Sequence, residues 1–192
     1  MANGKGRLIH VDGGCYDGDW VDDKAQGQGE FVDLDGIHYS GGWYNDARSG
    51  MGVETFIDGA KFEGNYEKGI KHGHGVFTWA DKSQYTGQFK NNDLDGYGVY
   101  EWKDGRKYEG DWQANNMHGK GTFTWVDGRK YVGHYLNDKK EGYGEFFWPN
   151  KKCYKGYWKD GRQHGEGKII EADGTEHPGT WKNGSRDKTT SG

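Results

Sequence analysis

Aromatic residues recur along the chain at a fixed spacing of 23 residues. Two positions after each ring is a glycine, and two positions after that glycine is a second ring, as in Tyr108, Gly110 and Trp112. The residues between them, Glu109 and Asp111, are polar, and this period of two is typical of a β-strand with one buried face. The repeats start at Tyr16, Tyr39, Phe62, Tyr85, Tyr108, Tyr131, Tyr154 and His177.

A second strand precedes each of these segments. It begins with two glycines separated by one residue, such as Gly119 and Gly121, and continues with alternating rings. An Asp-Gly pair, such as Asp127-Gly128, then separates the two strands, and this dipeptide favours a tight hairpin turn. Two turns lack the glycine and contain Asp81-Lys82 and Asn150-Lys151. Each repeat is therefore predicted to be a hairpin of two antiparallel strands.

Glycine within a strand usually marks the close approach of another group. Here the alternation predicts that an aromatic ring from one strand lies over the bare backbone of its neighbour, and such ring pairs add roughly 0.5–1.5 kcal/mol each. A single hairpin is only marginally stable in water, so the hairpins must stack on one another. The predicted fold is all-β: an elongated, single-layer antiparallel sheet, a solenoid-like array of about eight 23-residue hairpins.

The predicted array covers residues 1–184. Residues 4–15 supply a half-repeat that caps its N-terminal end, and residues 185–192 form a polar C-terminal tail. The last repeat has His177 in place of the first ring and Pro178 after it. Proline lacks a backbone donor and therefore belongs on an edge strand, where it discourages further pairing.

These motifs resemble the MORN repeat (membrane occupation and recognition nexus), and the resemblance extends from residue 4 to about 184. It implies a single-layer antiparallel sheet whose grooved face accepts a partner, often a helix. It also implies roles in cytoskeletal or ciliary (axonemal) assemblies, or at membranes. Glu54 stands in a ring column, and Asp33 and Glu171 stand in the column where Trp79, Trp102, Trp125 and Trp148 lie. These departures predict softer packing in the early repeats and at the C-terminal end.

Composition separates this chain from disordered sequences. Hydrophobic residues make up only 31%, which is typical of disorder, but 16% are aromatic, which is not. No apolar run reaches the roughly 18 residues of a membrane span, and the N-terminus has no hydrophobic stretch of a signal peptide. The expected location is therefore cytoplasmic, in the cytoskeleton or cilium by family resemblance, with the cytosolic face of a membrane as the alternative.

The net charge of −4 is unevenly distributed. Residues 1–96 carry 9 Lys and Arg against 16 Asp and Glu, a net of −7, whereas residues 97–192 carry 17 against 14, a net of +3. This excess is too small to indicate a nucleic-acid-binding protein.

Catalytic and metal chemistry is not indicated. His72, His118 and His164 are 46 residues apart, which places neighbours about 20 Å apart and too far to share a metal. The glycine pairs lack the Gly-Lys-Ser/Thr and the following helix of a phosphate-binding loop. Cys15 and Cys153 are six repeats apart and are not expected to form a disulfide. No enzyme activity, cofactor or metal site is predicted.

Two interpretations of the ring-bearing face remain. In the first, the rings serve only as packing between repeats; in the second, they line a groove for a partner's amphipathic helix or extended peptide. The candidate partner-binding residues are Trp79, Trp102, Trp125, Trp148, Tyr108, Trp112, Tyr131 and Tyr135. The favoured function is a non-catalytic scaffold that binds a protein, and self-association through sheet edges also fits.

A basic column beside the turns supplies the alternative function. It consists of Arg106, Lys107, Arg129, Lys130 and Lys152. Because basic side chains near an anionic surface gain about 1 kcal/mol each, this edge would dock an acidic partner or phosphoinositide headgroups. The simpler interpretation is a solvated edge balanced by neighbouring carboxylates such as Asp104 and Asp127.

Overall fold

Strands account for the regular structure of both halves of the chain. The computed structural model describes residues 1–11 and 13–187, and the chain divides into unit 1, residues 1–94, and unit 2, residues 95–192. Unit 1 contains β1 Gly4–Ile9, β2 Cys15–Val21, β3 Lys24–Val32, β4 His38–Tyr44, β5 Ala47–Thr55, β6 Lys61–Glu67, β7 Ile70–Thr78 and β8 Gln84–Lys90.

Unit 2 repeats the same pattern of long and short strands. It contains nearly all of β9 Asp93–Glu101, and then β10 Lys107–Gln113, β11 Asn116–Thr124, β12 Lys130–Leu136, β13 Lys139–Phe147, β14 Cys153–Lys159, β15 Arg162–Ile170, β16 Glu176–Lys182 and β17 Ser185–Arg186. The described residues include no helix, and so none that is long and apolar enough to cross a membrane. The predicted all-β class and the antiparallel hairpins are confirmed.

Within each unit, strands that follow one another in sequence pair antiparallel, as β2 does with β3 and β3 with β4. The register sets ring opposite ring and glycine opposite glycine: Tyr16 faces Phe31, and Gly18 faces Gly29. Directly opposed residues in an antiparallel pair share a face. The rings of consecutive strands therefore gather on one face of the sheet, and the polar residues between them lie on the other.

The two glycines of each pair have different roles. Gly18 of β2 lies opposite Gly29 of β3, and beyond them the register shifts, so that Trp20 faces Ala25 across a bulge. Gly27, the first glycine, lies in this bulge with φ of 89°, a left-handed conformation that glycine adopts without steric cost. The first glycine of every other glycine pair has the same left-handed conformation: Gly4, Gly50, Gly73, Gly96, Gly119, Gly142 and Gly165. These bulges were not predicted from the sequence.

The second glycine of each pair lies beneath a ring. A methyl group on Gly29 would come within 2.5 Å of Cε2 of Tyr16, and one on Gly121 within 2.5 Å of Cζ of Tyr108. The hydroxyl of Tyr108 donates to the carbonyl of Asp111 at 2.9 Å. The prediction that a ring lies over the bare backbone of a neighbouring strand is therefore confirmed.

Rings of successive hairpins stack edge to face into a ladder. Tyr16 lies 5.0 Å from Trp43, and Tyr108 lies 5.2 Å from Tyr135, between ring centroids. Four tryptophans also donate their indole N–H to a glycine carbonyl in the preceding strand, as Trp43 does to Gly29 at 3.1 Å; the others are Trp20, Trp112 and Trp158. Packing and backbone hydrogen bonding thus use the same side chains, which fixes the register between hairpins.

Two kinds of turn connect the strands. The predicted Asp-Gly turns are present, and where glycine is missing Lys82 and Lys151 take the left-handed conformation with φ of 76° and 67°. A second set, not predicted from the sequence, consists of two-residue turns with positive φ at both positions, such as Asn45 and Asp46. This is the geometry that matches the twist of paired strands. Asp12 of the first predicted turn lies outside the described residues.

The C-terminal end differs in one detail from the predicted boundary. Ser185 and Arg186, placed in the tail by the sequence analysis, form β17 and pair with Lys182 and Trp181 of β16. The rest of the predicted tail, residues 188–192, lies outside the described residues.

Candidate functional site

The tryptophans that precede the turns lie half-buried on the ring-bearing face. In unit 2, Trp102, Trp125 and Trp148 form a row, because each packs against the ring two residues earlier and two of them pack against a ring of the next repeat. Trp102 lies 5.2 Å from Phe123, and Trp125 lies 5.5 Å from Phe146. Each tryptophan therefore has one side packed and another accessible.

Trp79 belongs to unit 1, where it lies 4.7 Å from Phe77 and is also half-buried. Its backbone N–H donates to Ser83 at 2.9 Å and its carbonyl accepts from Lys82 at 2.9 Å, which closes the turn. The tryptophans of unit 2 close their turns in the same way. The turns therefore fix the backbone of each tryptophan, and contact with the ring two residues earlier positions its side chain.

The other four candidate partner-binding residues lie in the core of the sheet. Tyr108 and Tyr131 are 0% exposed, and Trp112 and Tyr135 are 6% and 5% exposed. Burial raises the pKa of all three tyrosine hydroxyls. These side chains are covered by neighbouring repeats, whereas the tryptophans that precede the turns are only half-buried.

The two arginines of the basic column are held against the sheet. Arg106 lies 2.8 Å from Asp104, and Arg129 lies 2.7 Å from Asp127. Each guanidinium also lies over the ring of the tryptophan that precedes its turn, at 5.3 Å and 5.5 Å from the centroid. Because Arg106 donates to the carboxylate of Asp104, the pKa of that carboxyl is lowered. Both charges are therefore partly neutralised.

The lysines of this column have separate partners. Lys107 lies 3.4 Å from Glu109, and Lys152 lies 2.8 Å from Glu171. Lys130 lies 5.1 Å from the ring centroid of Phe147. Most of the predicted basic edge is thus made of ion pairs.

Lys140, which the sequence analysis did not single out, lies inside a box of four rings in unit 2. Its ammonium is 4.5 Å from the centroid of Trp158 and 5.0 to 5.3 Å from Phe146, Tyr131 and Trp125. No carboxylate in the described part of the chain forms an ion pair with it. Burial, helped by a nearby arginine, lowers the pKa of Lys140 to about 8. Cation–π attraction is the main interaction available to this charge.

The corresponding lysine of unit 1 has a carboxylate instead. Lys71, three repeats earlier, lies 2.5 Å from Glu54 and 5.2 Å from the ring centroid of Phe62. Glu54 is 4% exposed, also bonds Arg48, and accepts a hydrogen bond from Tyr66 at 3.2 Å. Burial alone would raise the pKa of Glu54, but Lys71 and Arg48 lower it overall. An ion network therefore replaces the ring that other repeats have at this position.

Ala25, in the same column of the repeat as Lys71 and Lys140, leaves its box empty. A cavity of about 520 Å³ lies above it. Rings of His10, Tyr16, Phe31 and Trp43 line this cavity, and they occupy the repeat positions of the four rings around Lys140. Short side chains at such sites were not singled out by the sequence analysis, because the feature depends on contacts across three hairpins.

Histidines and cysteines form no metal-binding group: residues 1–11 and 13–187 contain no cluster of three metal-ligating side chains. His118 and His164 each bury Nδ1 without a hydrogen-bond partner among the described residues. Cys15 and Cys153 are both free thiols.

Comparisons with known proteins agree with this geometry. The family model for the MORN repeat matches residues 16–37, 39–61, 62–84, 85–105, 108–128, 131–152 and 154–176. No curated protein sequence matches the chain.

Two solved structures match this chain at low sequence identity. One is the SAS-4 (dCPAP) TCP domain of Drosophila melanogaster in complex with a proline-rich motif of Ana2 (dSTIL), with a TM-score of 0.52 and 11% identity, covering 92% of this chain and 90% of that one. The other is the TCP10c domain of Drosophila melanogaster Sas-4, with a TM-score of 0.47 and 11% identity over 93% and 99%. Because seven consecutive matches to the repeat model cover most of the sequence, the chain belongs to the MORN-repeat family.

Proposed function

We propose that this protein is a non-catalytic scaffold whose ring-bearing face binds a partner's amphipathic helix or extended peptide. The observation that carries the proposal is the row of half-buried Trp102, Trp125 and Trp148 in unit 2. Tryptophan is enriched among the residues that dominate binding energy, and truncating one such anchor costs about 2 kcal/mol or more. Rings fixed by closed turns lose little conformational freedom on binding.

The known fold supports a peptide as the class of partner. The TCP domain of SAS-4, which shares the fold, is in complex with a proline-rich motif. We propose the cytoplasm, in a cytoskeletal or ciliary assembly, as the setting, and this proposal comes from the family resemblance. Microscopy of the tagged protein with tubulin and actin stains tests it, and a diffuse distribution under all conditions would contradict it.

Lipid headgroups are not proposed as the ligand. Arg106, Arg129, Lys107 and Lys152 each have a carboxylate within 3.4 Å. An anionic membrane would have to compete with these internal partners. Sedimentation with phosphatidylserine vesicles at low salt distinguishes the two functions, because the scaffold proposal expects no binding through this edge.

Affinity purification followed by mass spectrometry identifies the partner. Measured affinity of the purified partner for variants then tests whether it binds the ring-bearing face. Trp102→Ala/Trp125→Ala is expected to weaken binding at least tenfold. The matched control is Tyr143→Ala/Tyr157→Ala, which removes two half-exposed rings that pack together at 5.7 Å on the polar face. Equal affinity of the tryptophan variant and the wild type, with both folded, would refute the proposal.

A further inference from the structure

The column that contains Ala25 continues with Arg48, Lys71, Leu94, Met117, Lys140 and Gln163, and three of these positions show the ring box with and without a lysine. Ala25, Lys71 and Lys140 are separated by whole repeats of 23 residues, so the same strands and rings surround them. In two cases the box contains an ammonium group from this chain. The third contains only the methyl group of Ala25 and a cavity of about 520 Å³.

The empty box has nearly the same dimensions as the occupied one. Around Lys140, Tyr131 and Trp158 are 5.2 Å apart, and Phe146 and Trp158 are 6.2 Å apart. Around Ala25 the equivalent pairs are Tyr16–Trp43 at 5.0 Å and Phe31–Trp43 at 6.3 Å. The walls thus retain their spacing when the lysine is absent, because hairpin packing and not the lysine positions the rings.

Carboxylates surround the empty box. Asp23 and Asp46 line the cavity, and Asp46 accepts the backbone N–H of Ala25 at 2.7 Å. Burial is the main cause of the raised pKa of Tyr16, and the negative charges of Asp19 and Asp46 are the next largest causes. Residues 1–94 carry 9 Lys and Arg against 15 Asp and Glu, a net charge of −6. The negative potential at this site favours a cation.

The positive charges at the cavity are compensated. Arg48, which lines it, forms an ion pair with buried Glu54. The N-terminal ammonium lies 3.8 Å from Asp23 at the rim and reduces that one charge. Asp46 also lines the cavity, and no cationic group of the described residues lies within ion-pair distance of it.

We propose that the cavity above Ala25 binds the lysine side chain of a protein partner, whose ammonium takes the place that Lys140 fills in its own box. This proposal rests on the scaffold function and names a contact that would belong to it. Arg48 stands in the same column, but Asp33 and Glu54 replace two of the four rings around it. The four other complete ring boxes hold Lys71, Leu94, Met117 and Lys140, so lysine fits better than arginine. It fits better than an apolar side chain because of Asp23 and Asp46 at the rim.

Three capped pentapeptides test the proposal: one with central lysine, one with norleucine and one with arginine, flanked by alanine and glycine. Binding to the full chain is followed by the NMR shifts of the indole N–H groups of Trp20 and Trp43, assigned with single Trp→Phe variants. The lysine peptide is expected to shift both signals saturably, with an affinity at least about fivefold higher than that of norleucine. Equal binding of lysine and norleucine would overturn the proposal, and preferred binding of arginine would replace lysine as the occupant.

Ala25→Lys is the decisive variant, since it fills the box from within and the chain tolerates lysine at this repeat position twice. It is expected to abolish the titration while the dispersed indole spectrum shows that it is folded. Ala80→Lys, at an exposed turn of unit 1, adds the same charge elsewhere and is expected to bind like the wild type. An unchanged titration with Ala25→Lys would refute the cavity as the site.

Failure of this inference can be distinguished from failure of the scaffold proposal. If the purified partner binds Ala25→Lys as well as wild type but loses affinity for Trp102→Ala/Trp125→Ala, the scaffold stands and the lysine contact is wrong. If the lysine peptide saturates the cavity but the tryptophan variant binds the partner normally, the cavity stands and the tryptophan row is not the docking site.

Discussion

The two units each bury a lysine among aromatic rings, but they balance its charge differently. Lys71 in unit 1 and Lys140 in unit 2 enter equivalent ring boxes, but only Lys71 has a carboxylate, that of Glu54, at 2.5 Å. Lys140 is held by rings, and Phe123 stands at the repeat position of Glu54. Unit 1 has in addition a box without a lysine, above Ala25.

This difference shows which positions of the repeat are free to vary. The glycine and tyrosine columns have the same contacts in both units, since Tyr16 covers Gly29 as Tyr108 covers Gly121. The column of Ala25 and Lys140 changes size and charge without altering the strands around it. The repeat therefore separates a constant scaffold from a variable lining on the same face.

The largest expected effect is on the ion network of unit 1. Glu54→Gln leaves Arg48 and Lys71 without their buried counter-charge, and breaking a buried pair in this way costs about 3–5 kcal/mol in the free energy of unfolding. Glu63→Gln, at the exposed pair with Lys61, is the matched control and should change stability by less than about 1 kcal/mol. Chemical denaturation at pH 7 measures both, and equal effects would contradict the network.

The same carboxylate gives a pH dependence with a definite sign. The pKa of Glu54 in the folded protein is below its ordinary value of 4.5. Its contribution is therefore complete above pH 4.5 and is lost as the pH falls through the folded pKa. Wild type should lose stability faster than Glu54→Gln below pH 4.5, and parallel curves would show that Glu54 is not involved.

An intermediate effect is expected at the constant columns, and it should be alike in both units. Gly29→Ala and Gly121→Ala each place a methyl group against a tyrosine ring that neighbouring hairpins hold in place, which costs about 1–3 kcal/mol or more. Gly179→Ala is the control, because its methyl group meets the end of the flexible Arg186 side chain. A cost in one unit only would show that the scaffold is not shared.

The smallest effect distinguishes the two lysines by sign. The pKa of Lys140 is lowered to about 8, so its charge costs stability below that pH and the cost disappears toward pH 10.5. Lys140→Met is expected to stabilise by about 1 kcal/mol at pH 7, because the lost cation–π attraction offsets part of the relieved burial cost. Lys71→Met should destabilise because it removes a partner of Glu54. Denaturation at pH 7 and pH 10.5 measures this, and a stabilising Lys71→Met would remove the contrast.

The sequence predicted the parts of this structure that repeat with fixed chemistry. Alternating rings and glycines predicted the strands, the hairpins and the approach of a ring to bare backbone, because each depends on neighbours within one repeat. The bulge at Gly27 and the turn at Asn45 and Asp46 were not predicted, since a glycine or asparagine alone does not reveal its φ.

The candidate site was predicted only in part. Trp102, Trp125 and Trp148 lie on the ring-bearing face, half-buried as a groove lining requires, but the same reasoning included Tyr108 and Tyr131, which are fully buried. Lys140 and Ala25 were missed because the rings that surround them lie up to 18 positions away in the sequence and are brought together across a bulge. The predicted softer packing around Glu54 stays a prediction, and the structure shows a bonded carboxylate there.

Pairing between sequence neighbours has a kinetic consequence. In unit 1 each strand from β2 to β8 pairs with the strand directly before it, so the closing loops are short. Sheet proteins usually fold slowly, because segments distant in sequence must meet, and lose chain entropy, before any contact compensates for that loss. Here a nascent chain can add one hairpin at a time as it leaves the ribosome, each on the one already formed.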